Sequence, residues 1–174
     1  MLLDALLNFV PAGSALAVQG TAVPSTNIID ILGTGVGTTP TAIFGTPTLF
    51  GAETGVGFRK PLIEIILGNA AWVSGTSLTV AFQGAVDVAT THAAGAWVTY
   101  SQSPTILTAS LTANQVIRME WPTVFPFNTA MPRYLRLLFT PAGTFTVGTI
   151  AAAVVTMGRD DMSQAQAARN FVVA

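Results

Sequence analysis

Three features of this sequence predict an all-β fold, an antiparallel sandwich or jelly roll with long Gly/Thr/Pro-rich loops and extended termini. Short stretches rich in β-branched residues repeat with a period of two. Clusters of Gly, Pro, Asn and Thr separate them. Helical patterning is weak along the whole chain. The period matters because successive side chains on a strand point to opposite faces, so one face can meet a core while the other meets solvent or a neighbour. Roughly eight such strands joined by turns, with no longer repeat, suit one two-layer β domain.

Taken in order, the chain opens on the apolar "MLLDALLNF", in which "DALLNF" is expected to begin a turn. Residues 33–57 are rich in Gly and Thr and read as a long loop, which in a compact domain usually serves a partner or a function. "LIEIIL" (Leu62 to Leu67) is apolar on both faces apart from Glu64, as an interior strand is. A carboxylate buried alone there is costly, so a cationic partner is expected, either Arg136 or Arg118. In "SLTVAFQ", Leu78, Val80 and Phe82 share one face, with Thr79, Ala81 and Gln83 on the other. In "VIRMEW", Ile117, Met119 and Trp121 point one way while Arg118 and Glu120 point the other. "RYLRLLF" sets Leu135, Leu137 and Phe139 against Tyr134, Arg136 and Leu138. "TFTVGTIAAAVVTM" supplies one or two more strands, with Gly148 a bulge or bend. The ten prolines fall at loop-like positions. "DDMSQAQAARNF" (Asp160 to Phe171) holds good helix formers but only a thin apolar face, and 160–174 reads as a C-terminal tail on the single domain spanning 1–174.

Composition narrows the function classes. At 174 residues the chain can bury a core without staples, and it has no cysteine for disulfides, thiolate metal sites or a cysteine nucleophile. Charged residues are only 9%, seven cations against eight acids. That balance lacks the basic face by which nucleic-acid binders are recognised. Although 51% of residues are hydrophobic, the least charged late stretch, Leu137 to Gly158, is broken by Pro141, Gly143 and Gly148. A spanning helix needs about 20 predominantly apolar residues in a row, so no membrane role is expected. The first residues lack a cationic region and carry Asp4, which argues against a signal peptide. A chain so apolar and so weakly charged is expected to have much of its surface covered by neighbours.

No catalytic or cofactor-binding constellation is legible. In "ILGTGVGTTP" the glycines at 33, 35 and 37 miss the spacing of a dinucleotide-binding turn, and Pro40 and Pro47 interrupt any helix after it. His92 is the only histidine, with no G-x-S-x-G serine to activate, and it cannot make a multi-histidine zinc site alone. Asp160 and Asp161 are adjacent and so diverge, whereas paired acid and base roles need convergence across a pocket. We therefore expect no enzyme, no cofactor and no metal.

Several residues suggest a surface made for partners. Trp121, Phe125 and Phe127 stand among three prolines in "EWPTVFPFNTAMP". They either fold back to cap the sandwich or form an exposed aromatic anchor, the kind of residue that dominates interfaces. Leu2, Leu3, Leu6 and Phe9 near the start, and Phe171 near the end, are more apolar than free tails need. Arg133 and Arg136 occupy a strand otherwise fit for burial. An arginine fork suits a carboxylate at an interface, and its stem equally suits covering apolar surface while the head stays wet.

The opening "MLLDALLNF", then "STNIIDIL" with its Gly-rich turn, "PRYLRLLFT", "AGTFTVGTIAAAVV" and the terminal "NFVVA" together resemble the jelly-roll cement (decoration) proteins of tailed bacteriophages, of the Bordetella short-tailed phage type. The likeness runs over nearly the whole chain and is loose at 41–57 and 91–113. It implies a structural virion protein on the outer surface of an icosahedral head, bound to the major capsid protein and to itself as a dimer or trimer. It also implies no catalysis and no cofactor. The aromatic, proline-rich "TVFPFNTAMP" departs from the short polar link that often precedes the arginine strand in this family. A different reading is a glycan-binding jelly-roll module of a tail or head appendage, built on Trp72, Trp97 or Trp121. A third is a hydrolase dependent on His92.

Overall fold

The computed structural model describes residues 8–30, 61–88, 93–122 and 132–157. The expected loop at 33–57, the tail at 160–174, His92, and the interface candidates Leu2, Leu3, Leu6, Phe125, Phe127 and Phe171 lie outside the described residues.

Eleven strands are described, in the order β1 (Asn8–Val10), β2 (Leu16–Ala17), β3 (Val23–Pro24), β4 (Ile29–Asp30), β5 (Pro61–Leu67), β6 (Ser77–Val88), β7 (Ala93–Gln102), β8 (Ile106–Leu107), β9 (Val116–Glu120), β10 (Tyr134–Ala142) and β11 (Thr149–Met157). Five of these are pieces of two or three residues, which is why their number exceeds what the sequence pattern suggests. They form two antiparallel sheets. The first runs β1-β11-β5-β9, with β2 also on β11. The second runs β3-β10-β6-β7, with β4 also on β10 and β8 also on β6. The all-β antiparallel sandwich is therefore the observed architecture. Among the described residues no helix is long and apolar enough to cross a membrane.

The core lies where the two inner faces meet. Ile63, Ile65 and Leu67 of β5 oppose Leu78, Val80 and Phe82 of β6 and Leu135, Leu137 and Phe139 of β10, all fully buried in one cluster. Each set sits at alternate positions, as the period of two requires. Burial of this kind drives the fold at about 25 cal/mol per Å² of apolar surface removed from water. Phe82 is central to one end, edge-on to Phe9 at 6.3 Å and to Trp121 at 4.9 Å. Trp72 and Phe145 make a similar edge contact, 4.8 Å between centroids.

Of the close approaches that need glycine, two bear on β6 and β11. A Cβ on Gly148 would stand 2.5 Å from the Val18 carbonyl oxygen, whose own backbone N–H donates to Gly148 O at 2.9 Å. Gly148 thus marks a tight backbone crossing just before β11, while the bulge itself falls between Ile150 and Ala152. A Cβ on Gly84 would stand 2.5 Å from Tyr100 and 2.7 Å from Pro132, so its absence lets both side chains lie over β6. Not all prolines stay in loops: Pro24, Pro61 and Pro141 lie within strands. Pro61 begins its strand and Pro141 stands near the end of one, positions where a missing N–H disturbs the ladder least.

The two sides of the sandwich are closed differently. On the β1–β4 side, Asn27 bridges the sheets: its backbone N–H donates to Phe9 O at 2.8 Å and its side-chain amide to Asn8 O at 3.1 Å. Ser25 helps there by accepting the Leu137 N–H and donating to Asn27 O. On the opposite side the end of β7, with the turn after it and β8, faces β9 across an open cleft.

Candidate interaction surface

The outward face of the second sheet carries most of the polar side chains that the described fold brings together. Because Leu135, Leu137 and Phe139 point inward, Tyr134 and Arg136 of β10 point outward. Register places Arg136 opposite Gln83 of β6, Gln83 opposite Thr99 of β7, and Ala85 opposite Trp97. Tyr134 pairs with Ala85 on one side and Asp30 of β4 on the other.

At one end of this face Arg133 ties three strands together. Its Nε and Nη2 donate to the two carboxylate oxygens of Asp30, both at 2.9 Å, and its Nη1 donates to Asp87 Oδ2 at 2.8 Å. The Asp30 contact is the bidentate pairing to which a planar guanidinium is suited. Asp30 ends β4, Asp87 lies near the end of β6, and Arg133 immediately precedes β10. The hydrogen bonds that Arg133 donates to Asp30, ahead of the one to Asp87, hold its proton even more tightly than usual, against the opposing effect of burial. The Tyr134 hydroxyl donates to Asp87 Oδ1 at 3.4 Å. Burial raises the Tyr134 phenol above its ordinary pKa, and the Arg133 charge offsets part of that rise.

Arg136 is held by neutral groups. Its Nε donates to Gln83 Oε1 at 2.9 Å, and its Cζ lies 4.0 Å from the centre of the Trp97 ring. Gln83, itself buried, passes the hydrogen bonding on by donating to Thr99 Oγ1 at 3.2 Å. The side chain therefore leaves β10, crosses β6 and comes to rest on β7. Burial lowers its pKa from the usual arginine value, and no carboxylate among the described residues opposes it. The stack on an indole face is a cation–π contact of about 0.5–1 kcal/mol at a partly exposed site. Among the described residues the hydrogen bond of this guanidinium falls on Nε, so the terminal Nη1–Nη2 fork is the part able to meet another molecule.

The expected interface residues divide accordingly. Arg136 is half-buried on the outer face. Arg133 instead directs its donors to Asp30 and Asp87 of its own chain, so its ion pairs serve the fold. Phe9 and Trp121 are corrections: both are buried against Phe82, because the sandwich end needs large apolar side chains to fill it. Trp121 is thus a cap of the core, one of the two roles open to it. Trp72 is likewise interior, leaving Trp97 alone of the three tryptophans on the surface, and its ring is covered by Arg136. Trp72 and Trp121 are therefore out of reach of a sugar, and of the three only Trp97 can contribute to a concave aromatic platform. Gln83 and Trp97, which make the arginine seat, were not foreseen as a pair: Gln83 stood out only as a face residue of "SLTVAFQ" and Trp97 only as one of three tryptophans.

The expected partner of Glu64 is settled by register. Glu64 faces Arg118 across the β5–β9 pair, and Arg118 Nε donates to Glu64 Oε1 at 2.9 Å. The cleft between the edges, about 440 Å³, is lined by Ile106, Ile117 and Met119 with Arg118 and Glu120 at its side. Among the described residues no group of three or more His, Cys, Asp or Glu is arranged to hold a metal ion. No known protein family and no curated protein matches the chain.

Proposed function

We propose that this chain is a structural protein of a tailed-phage virion, a cement protein that binds the outer surface of an icosahedral head and ties neighbouring major capsid subunits together. The observation that carries the reading is the seating of Arg136, a guanidinium fixed in place by Trp97 and Gln83, with no carboxylate paired to it among the described residues. A binding surface gains when its charged groups are ordered before the encounter, because less freedom is lost on docking. The antiparallel sandwich is the architecture that the resemblance implies, and the jelly-roll winding belongs to the same proposal. The low charge supports it too: a shell protein covered by copies and capsid subunits needs little ionic surface. In this reading the chain works as a dimer or trimer, uses no cofactor and catalyses nothing. Many weak contacts repeated around a shell would then resist internal pressure together.

The test is reconstitution. Heads stripped of this protein are expected to disrupt at lower temperature than intact ones, and adding the purified chain back is expected to restore the difference. Equal resistance of stripped and intact heads to heat and chelation would overturn the proposal.

A further inference from the structure

The four sheet edges differ in what they offer to another strand. β1 and β2 on one sheet, and β3 and β4 on the other, are two or three residues long. The β9 edge has five residues and exposes both Arg118 and Glu120. The β7 edge has ten residues, Ala93–Gln102, with no charge and no proline. Among the described residues only β6 pairs with it. Natural sheets usually protect such an edge with charge, proline or brevity, and β7 has none of these; its register irregularities are its only irregular feature.

The side chains flanking this edge specify what would join it. Trp97 faces outward, with the Arg136 guanidinium 4.0 Å above it. Val98 points to the opposite face and is 43% exposed, and further along β6 Val86 and Val88, next to Gly95 of β7, are exposed as well. An added strand lies about 4.8 Å from its neighbour, and its side chains alternate between the two faces. On the outer face it meets a cation whose seat is neutral; on the other it meets valine.

From this juxtaposition we infer that β7 receives an extended segment of a different polypeptide, bearing Asp or Glu at the positions that face Arg136 and aliphatic residues at the positions between. Backbone hydrogen bonds along the edge provide the binding, and the acid against the Nη1–Nη2 fork sets register and selectivity. A second copy of β7 fits less well. "AAGAWVTYSQ" holds no carboxylate, so self-pairing leaves Arg136 without an anion. This inference rests on the reading of the chain as a partner-binding protein, and it names the surface and the chemistry of the partner.

The test uses the full chain and a capped nine-residue peptide alternating valine with glutamate, beside a twin in which every glutamate is glutamine. Binding is followed by amide hydrogen exchange in β7 and by the NMR signal of the Trp97 indole. The glutamate peptide should slow exchange along β7 and bind about tenfold tighter than its twin, an advantage of the size expected for one close charge pair. In Arg136→Gln the two peptides should bind alike, whereas Val98→Lys, which places a charge on the edge, should weaken both. Unchanged β7 exchange with either peptide, or equal affinities for wild type, overturns the inference. So does self-association of the free chain through β7 that the peptides cannot displace. Failure with the peptide leaves the head reconstitution result standing, and failure of reconstitution leaves the peptide result standing, so the two readings fall separately.

Discussion

Arg133 and Arg136 are three positions apart in one stretch of chain and both reach the outer face of the same sheet, but one is surrounded by anions and the other by neutral groups. Arg133 is met by two carboxylates that arrive from strands distant in sequence. Arg136 is met by an indole and an amide. An arginine whose hydrogen bonds are matched by anions of its own chain fastens the fold. One desolvated against neutral groups carries an unmatched charge, which is a poor use of burial for stability and a good one for recognition. The strand pattern puts Arg136 on the outer face, whereas Arg133, just before β10, has the parity of the buried leucines and is drawn outward to its carboxylates. Only the neighbours supplied by the other strands separate their roles.

The largest effect that should separate them is on folding. Arg133→Gln removes the cation between Asp30 and Asp87 and leaves two carboxylates facing each other, partly buried. Hydrogen bonds to charged groups are worth about 1.5–3 kcal/mol, and some exposure screens them, so we expect a loss of about 2 kcal/mol in urea unfolding. Asp30→Asn should recover part of that loss in the Arg133→Gln background, because it removes one of the two repelling charges. If it does not, the cluster is held by packing and not by charge.

Arg136→Gln should cost less. The lost stack on Trp97 is worth about 0.5–1 kcal/mol, and relief of the buried charge offsets it. The net change in unfolding free energy should stay within about 1 kcal/mol, while affinity for stripped heads falls. A stability loss equal to that of Arg133→Gln would mean that both arginines are structural, and the contrast would be gone. Smaller still is the Glu64–Arg118 pair. Arg118 is 63% exposed, so a double-mutant cycle with Glu64→Gln and Arg118→Gln should give a coupling of only about 0.5 kcal/mol, reduced further by salt.

Much of this fold was legible because strand alternation is a local signal. Leu78, Val80 and Phe82, and likewise Leu135, Leu137 and Phe139, announce their shared faces by spacing alone, and all six are buried as expected. β7 was not legible. Its "AAGAWVTYSQ" is weak in β-branched residues, and its pairing with β6 shifts register twice, between Phe82 and Gln83 and between Ala85 and Asp87. Each shift breaks the period of two. The candidate surface was half legible for a related reason. The sequence flagged Arg133 and Arg136 as unusual, but Asp30 lies 103 residues from Arg133 and Gln83 lies 53 from Arg136. Contacts at such separations follow from strand order, which no local pattern contains. Trp121 and Phe9 looked like anchors because large apolar residues near prolines and termini read alike whether they cover a core or await a partner.

The finest test of the contrast is the titration of Tyr134, which adjoins the Arg133 cluster. Burial raises its phenol pKa, Arg133 lowers it, and Asp87 raises it again through charge and the 3.4 Å hydrogen bond. An unfolded-state phenol ionises near its ordinary pKa of about 10. The folded pKa is higher, so this group's contribution to stability is complete below about pH 10 and is lost as pH rises through the folded value. Tyr134→Phe should therefore flatten part of the alkaline fall in stability and have an effect of under about 1 kcal/mol at neutral pH. Arg133→Gln removes the one neighbour that favours the phenolate, so the absorbance change of tyrosinate should move to still higher pH. Arg136→Gln should leave that midpoint where it is. A midpoint that shifts equally in the two arginine variants would show that their charges act on the same cluster, and the division of the face into a fastening end and a presenting centre would fail.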